Sequence, residues 1–176
     1  MKERAPVCVI KVDGTNCDRE TAHAFDITGG KPEIIPINDF ITRENLLNRY
    51  KILAISGGFA YGDNPRSGIA LSLELMERLG DQMKEFMERS DTLILGICNG
   101  FQVLIRTGLL PFDNLGKMDA TLTNNDSGHL ECRWIKGRVE KNSSCVFLKN
   151  MTGEIFSYPV AHGEGKFFAT PENIKK

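Results

Sequence analysis

The stretch Leu93–Gln102, LILGICNGFQ, decides the fold. Its first half is apolar and its second half opens a new pattern, so it reads as a buried strand, a sharp turn and the start of a helix. The turn holds Cys98 between Gly96 and Gly100. This is the form of a nucleophile elbow, in which flanking glycines permit the tight backbone that presents a reactive side chain at the C-terminal edge of a sheet. A helix beginning just after Cys98 aims free N–H groups and its positive dipole end at the sulfur, which favours the thiolate. Free cysteines are more often small, inert and buried. That plain role is expected for Cys8, Cys17, Cys132 and Cys145, and the strand-turn-helix setting separates Cys98 from them.

Working outward, the chain repeats strand and helix. VCVIKV (Val7–Val12) reads as a buried strand, DGTNCD as a turn-rich loop, and a helix capped by Asp18 runs to about Phe25 before Gly29-Gly30. PEIIPI (Pro32–Ile37) is a second strand, and Thr42-Arg43-Glu44 predicts a capped helix over LLNRY. KILAI (Lys51–Ile55) is a third strand, followed by the glycine-rich loop SGGFAYGD. Ser67–Arg89 carries Ile69, Leu73, Met76, Leu79, Met83, Phe86 and Met87 at helical spacing, with Gly80 as a break point. This stripe reads as a core-facing surface. TLILGI (Thr92–Ile97) is the strand that enters the elbow, and Gly100–Thr107 is a helix ended by Gly108 and Pro111. Such alternation implies a parallel sheet with helices on both faces. From Ala120 to Phe147 the character changes to β-branched runs broken by NNDSG and KNSS, read as antiparallel strands or hairpins added to the core. SYPVAHGEGKFFA closes the informative part, and TPENIKK reads as a polar tail.

The bulk numbers fit one domain over residues 1–176: 41% of residues are hydrophobic and 26% charged. A net charge of −1 gives no electrostatic footprint for nucleic acid or an anionic membrane. No apolar run approaches the roughly 20 residues that span a bilayer, and no signal peptide is visible. Five cysteines, none in a CxxC pair, fit a reducing compartment better than a zinc site or disulfide framework. Cytoplasmic residence is the expectation.

Acyl transfer at Cys98 needs donors for the oxyanion. The backbone N–H of Asn99 is one, and Gly58 in SGGFAYGD is the candidate for the second, because that loop leaves the neighbouring strand at the same sheet edge. The same loop also reads as an ordinary glycine turn.

GICNGFQ and SGGFAYGDNPRSG together resemble the class I glutamine amidotransferases. With DGTNCDRE, NDSGHLECRW and PVAHGEGKF in this order, the chain is similar to the glutaminase subunit or domain of phosphoribosylformylglycinamidine synthase, over about Val7–Phe168. The resemblance implies a flavodoxin-like three-layer α/β sandwich, mainly parallel with an antiparallel extension. It also implies a reaction of purine biosynthesis: a cysteine thiolate attacks the amide of glutamine, ammonia leaves through a channel, and water hydrolyses the thioester. The ammonia would reach a large synthetase subunit that forms the amidine at the expense of ATP, with a small accessory subunit as a further partner. By the same resemblance Cys98 is the nucleophile, Gly58 and Asn99 hold the oxyanion, and Gln102 helps hold substrate glutamine. No G-x-x-x-x-G-K-[ST] loop is present, so ATP and Mg²⁺ are expected on the partner and no cofactor or metal on this chain. Asn64-Pro65 departs from the aromatic-aliphatic pair the family more often has before the arginine, here Arg66.

The base is the open position. The family activates its cysteine with a histidine oriented by a glutamate two residues on. His23 lacks that spacing, whereas His129-Leu-Glu131 and His162-Gly-Glu164 both have it. In the family the A-H-G-E-G segment is a separate motif, and the catalytic pair comes later, in H-P-E-R before a C-terminal helix. The expectation is therefore that the base and orienter lie beyond Lys176 and that the 176 residues lack a terminal strand and helix. His162 with Glu164 as the pair is the second reading, and a catalytically lapsed scaffold or glutamine sensor is the third. Fold relatives with chaperone and protease-like activities usually place a histidine directly after the cysteine, where this chain has Asn99.

Overall fold

The computed structural model describes residues 3–175, so Met1, Lys2 and Lys176, the last residue of the expected tail, lie outside it. Four short strands form the central sheet: β1 (Pro6–Lys11), β2 (Lys31–Pro36), β3 (Ile52–Ile55) and β4 (Leu93–Gly96). Their order is β2-β1-β3-β4, and every pair is parallel. Strand side chains alternate between faces, so β1 feeds two cores at once. Val7 and Val9 join Ala54 beneath Ala22 and Phe25 of α1 (Asp18–Ile27). Cys8 and Ile10 join Leu53 and Ile55 on the other side. That second face is covered by α3 (Ile69–Glu88) and α4 (Asn99–Arg106), with α2 (Asp39–Thr42) contributing Phe40. This is the doubly covered parallel arrangement expected from near-continuous apolar strands.

Several local expectations need correction. Cys17, not Asp18, precedes the first helix; Asp18 is its first residue, buried and ion-paired with Lys11 at 2.9 Å. The predicted helix over LLNRY is a 3₁₀ turn, Leu46–Arg49, preceded by a left-handed Asn45 with no side-chain cap. Leu46, Leu47 and Tyr50 are all buried, and the tight turn sends all three inward just before β3. In α3 the stripe is shifted: Leu73 is 66% exposed, while Leu71, Leu75, Leu79, Met83 and Phe86 form the buried face. Gly80 does not break that helix.

Burial alone would push the Asp18 carboxyl up, but Lys11 and the backbone amides of Asp18 and Arg19 outweigh it and hold it below its usual value. A depressed folded-state value contributes stability that is complete above the ordinary carboxylate range of about 4 and fades as pH falls through the lowered value. Lys11→Met is therefore expected to be less stable than the parent at neutral pH, with the gap in urea midpoint narrowing on acidification. A gap that stays constant with pH would contradict the pairing.

The chain divides into two compact units. The first runs to Thr121 and resumes at Phe168; the second is Leu122–Phe167. β5 (Ala120–Thr123) and β8 (Lys166–Ala169) pair where the chain passes from one to the other and back. Within the second unit, β6 (Glu131–Arg138) and β7 (Ile155–His162) form a separate antiparallel pair with Glu131 opposite His162 and Trp134 opposite Pro159. The run that ends at Phe147 was expected to continue as strand. It instead forms a 3₁₀ turn, Val146–Leu148, so the partner of β6 comes from further along the chain. The polar tail also acquires structure: α5 (Pro171–Ile174) is capped by Thr170, whose hydroxyl accepts from the Asn173 N–H at 3.3 Å. No helix among the described residues is long and apolar enough to cross a membrane.

Candidate active site

Cys98 sits between β4 and α4 with φ 53° and ψ −108°, a left-handed conformation that a cysteine rarely adopts. Its side chain is exposed. Both flanking glycines are sterically required. A Cβ on Gly96 would stand 2.6 Å from the Gly100 carbonyl oxygen, and one on Gly100 would stand 2.7 Å from the Ile55 carbonyl carbon. The elbow is thus packed against β3, and the strained cysteine is held by contacts on both sides of it.

The loop leaving β3 lies against the elbow. A Cβ on Gly57 would be 3.3 Å from Cys98 Cβ and 3.9 Å from Cys17 Sγ, so Gly57 packs beside the thiol-bearing carbon. Gly58 follows with φ +132°, and a Cβ there would stand 2.5 Å from the Asn16 nitrogen. The DGTNCD loop after β1 accounts for that crowding, because it braces the β3 loop by backbone bonds. Cys17 N–H donates to Gly57 O at 3.2 Å, Phe59 N–H to Gly14 O at 3.0 Å, and Tyr61 N–H to Asp13 O at 2.8 Å. Asn16 Oδ1 also accepts from Phe59 N–H at 3.2 Å. The carboxyl ends of β1, β3 and β4 therefore meet at Cys98, the edge where open parallel sheets bind ligands. The sequence marked DGTNCD as a motif without assigning Asn16 a task. Its signal was an Asn in a strand-to-helix turn, a residue suited to bonding nearby backbone.

Asn99 is the first residue of α4, where an N–H has no intrahelical acceptor. Its side chain is buried and fully engaged. Oδ1 accepts from Ala60 N–H at 3.4 Å, and Nδ2 donates to Asp63 Oδ1 at 2.9 Å and to Gln102 Oε1 at 3.1 Å. The structure thus brings Cys98, Asn99, Gln102 and the Gly57-Gly58 turn into one neighbourhood.

Of the other cysteines, only Cys8 fits the expectation of burial; Cys17, Cys132 and Cys145 are exposed because their loops and the two-stranded β6–β7 pair leave them uncovered. Partial desolvation, then the charges of Glu20, Cys98 and Asp18, push the Cys17 thiol up, which suits it to remain protonated beside the elbow. Both histidine-x-glutamate pairs fall in or beside the second unit's strands. His162 Nδ1 lies 3.0 Å from Asn125 Oδ1, and Asn125 Nδ2 donates to the carbonyls of His129 and His162 at 2.9 and 2.8 Å. Glu131 is held below its usual value, first by the Ser127 hydroxyl, then by Arg133, His129 and His162. His23 is an exposed residue of α1. Among the described residues no cluster of three or more His, Cys, Asp or Glu side chains is arranged to hold a metal ion.

Cys98 therefore presents an exposed thiol on a strained strand-to-helix elbow at the edge of an α/β sheet. Residues 4–176 match the CobB/CobQ-like glutamine amidotransferase domain, and the chain belongs to that family. More narrowly, it is 42% identical over 168 residues to phosphoribosylformylglycinamidine synthase subunit PurQ of Dehalococcoides mccartyi, covering 96% of this chain and 65% of that protein. The PurQ of Methanococcus maripaludis strain C5 is 43% identical, with 92% of this chain and 60% of the relative covered. The chain thus spans under two thirds of the length of these curated relatives. A solved structure of PurLQS from Thermotoga maritima superposes with a TM-score of 0.78 at 32% identity, covering 97% of this chain and 72% of the other. A second Thermotoga maritima glutamine amidotransferase, at 18% identity and a TM-score of 0.52, shares the fold.

Proposed function

We propose that the chain is the glutaminase part of a phosphoribosylformylglycinamidine synthase, hydrolysing glutamine through a Cys98 thioester and handing ammonia to a large synthetase subunit in purine biosynthesis. The observation that carries this is the placement of Cys98 on a strained elbow, beside a glycine turn and at the N-terminus of α4. Attack by the thiolate on the side-chain carbonyl of glutamine develops negative charge on oxygen. The Asn99 N–H and the Gly58 N–H would receive it, and Gln102 would help position the substrate. Ammonia departs with a proton delivered to the leaving nitrogen, and water completes the cycle by hydrolysing the thioester.

Both steps need a base, on this reading a histidine oriented by a glutamate. His162 is less suited, since its ring is engaged by Asn125 in a network that organises its own loop. ATP and Mg²⁺ belong, on this reading, to the synthetase subunit, and the setting is the cytoplasm. The test is ammonia release by the full-length protein, alone and assembled with its synthetase. Release from glutamine that rises on assembly is expected. Absence of release in both states would overturn the proposal.

A further inference from the structure

We propose that the Asn99 carboxamide is the positioning residue that locks the oxyanion loop and Gln102 into one unit, a role separate from its backbone N–H. The inference rests on the amidotransferase reading above. Asn99 is 2% exposed, yet its side chain makes bonds to three different residues. Its oxygen holds Ala60 N–H, two residues after Gly58. Its nitrogen spans Asp63, which closes the same loop, and Gln102, one turn along α4. The orientation of the amide is set by these partners: one is a backbone donor and the other two are oxygen acceptors.

The loop needs such a tie. Tyr61, Gly62 and Asp63 in succession have positive φ values of 55°, 66° and 56°. Two of these are non-glycine residues in a conformation that costs free energy and persists only where surrounding contacts over-determine it. Backbone bonds to the DGTNCD loop hold the Gly57–Tyr61 side. The Asp63 side chain is anchored by Asn99. Because Asn99 directly follows the nucleophile, any shift of its side chain is transmitted to loop, substrate-binding glutamine and elbow together.

The test uses the full-length protein and the rate at which a glutamine-analogue electrophile modifies Cys98. Asn99→Asp keeps the shape and the acceptor for Ala60 but replaces both donors with charge facing the Asp63 carboxylate. It is expected to slow modification by about 10²-fold, the scale of an ångström misplacement. The exchange variant Asn99→Asp/Asp63→Asn restores a donor-acceptor pair at the same place with the same net charge. It is expected to recover to within about threefold of the parent, a change of under about 0.7 kcal/mol. An Asn99→Asp rate equal to the parent's would overturn the inference, and so would an exchange variant no faster than Asn99→Asp although folded. A parent protein that the analogue does not modify would instead refute the amidotransferase reading itself.

Discussion

Gly100→Ala is expected to remove at least about 3 kcal/mol of stability, at the upper end of overpacking in a rigid site. The added Cβ would stand 2.7 Å from the Ile55 carbonyl carbon and closer still to its oxygen. That oxygen accepts the Ile97 N–H at 3.0 Å, so it cannot retreat without opening the β3–β4 junction that enters the elbow. The obstacle is backbone in the middle of the sheet, and no flexible side chain can yield instead. Gly80→Ala is the matched control. It lies inside α3, where a Cβ would meet only Met76 Cε at 3.9 Å, so exchange of helix-interior glycine for alanine should stabilise by about 0.5–1 kcal/mol. Urea midpoints of the two variants should move in opposite directions. A Gly100→Ala protein as stable as the parent would mean that the elbow is not packed against β3.

Cys98→Ala is expected to cost at least about 10⁴-fold in glutamine hydrolysis, since without the nucleophile only binding and oxyanion stabilisation remain. Its stability should change by no more than about 0.5 kcal/mol, because the exposed sulfur fills no core space and alanine inherits the same left-handed backbone. Measuring ammonia release and the urea midpoint on the same sample separates lost chemistry from lost fold. Residual hydrolysis within tenfold of the parent would assign the nucleophile elsewhere.

The parts of this molecule legible in its sequence are those governed by local rules. Strands β1 and β3 are short apolar runs buried on both faces, β4 is a half-buried one, and the elbow is forced by Gly96 and Gly100 around a single residue. The misreadings arose where tertiary packing decides. LLNRY looked helical by its capping signal, yet burying Leu46, Leu47 and Tyr50 together needs a 3₁₀ turn. Leu73 sits at helical spacing with Ile69 and Met76 but on an exposed flank of the helix. Around Cys98, the sequence named Gly58, Asn99 and Gln102 as candidates, and the fold brings them into one neighbourhood. The sequence missed the carboxamides of Asn16 and Asn99, whose partners lie 43 and 39 positions away along the chain. An asparagine's bonding across such a distance leaves no periodic trace.

The most direct test of the account is to map which cysteine of the full-length protein a glutamine-analogue electrophile modifies, with and without glutamine. Cys17, Cys98, Cys132 and Cys145 are all exposed, so accessibility alone does not single one out. The account predicts modification at Cys98 only, prevented by glutamine. Modification spread over the exposed cysteines, or unaffected by glutamine, would contradict it.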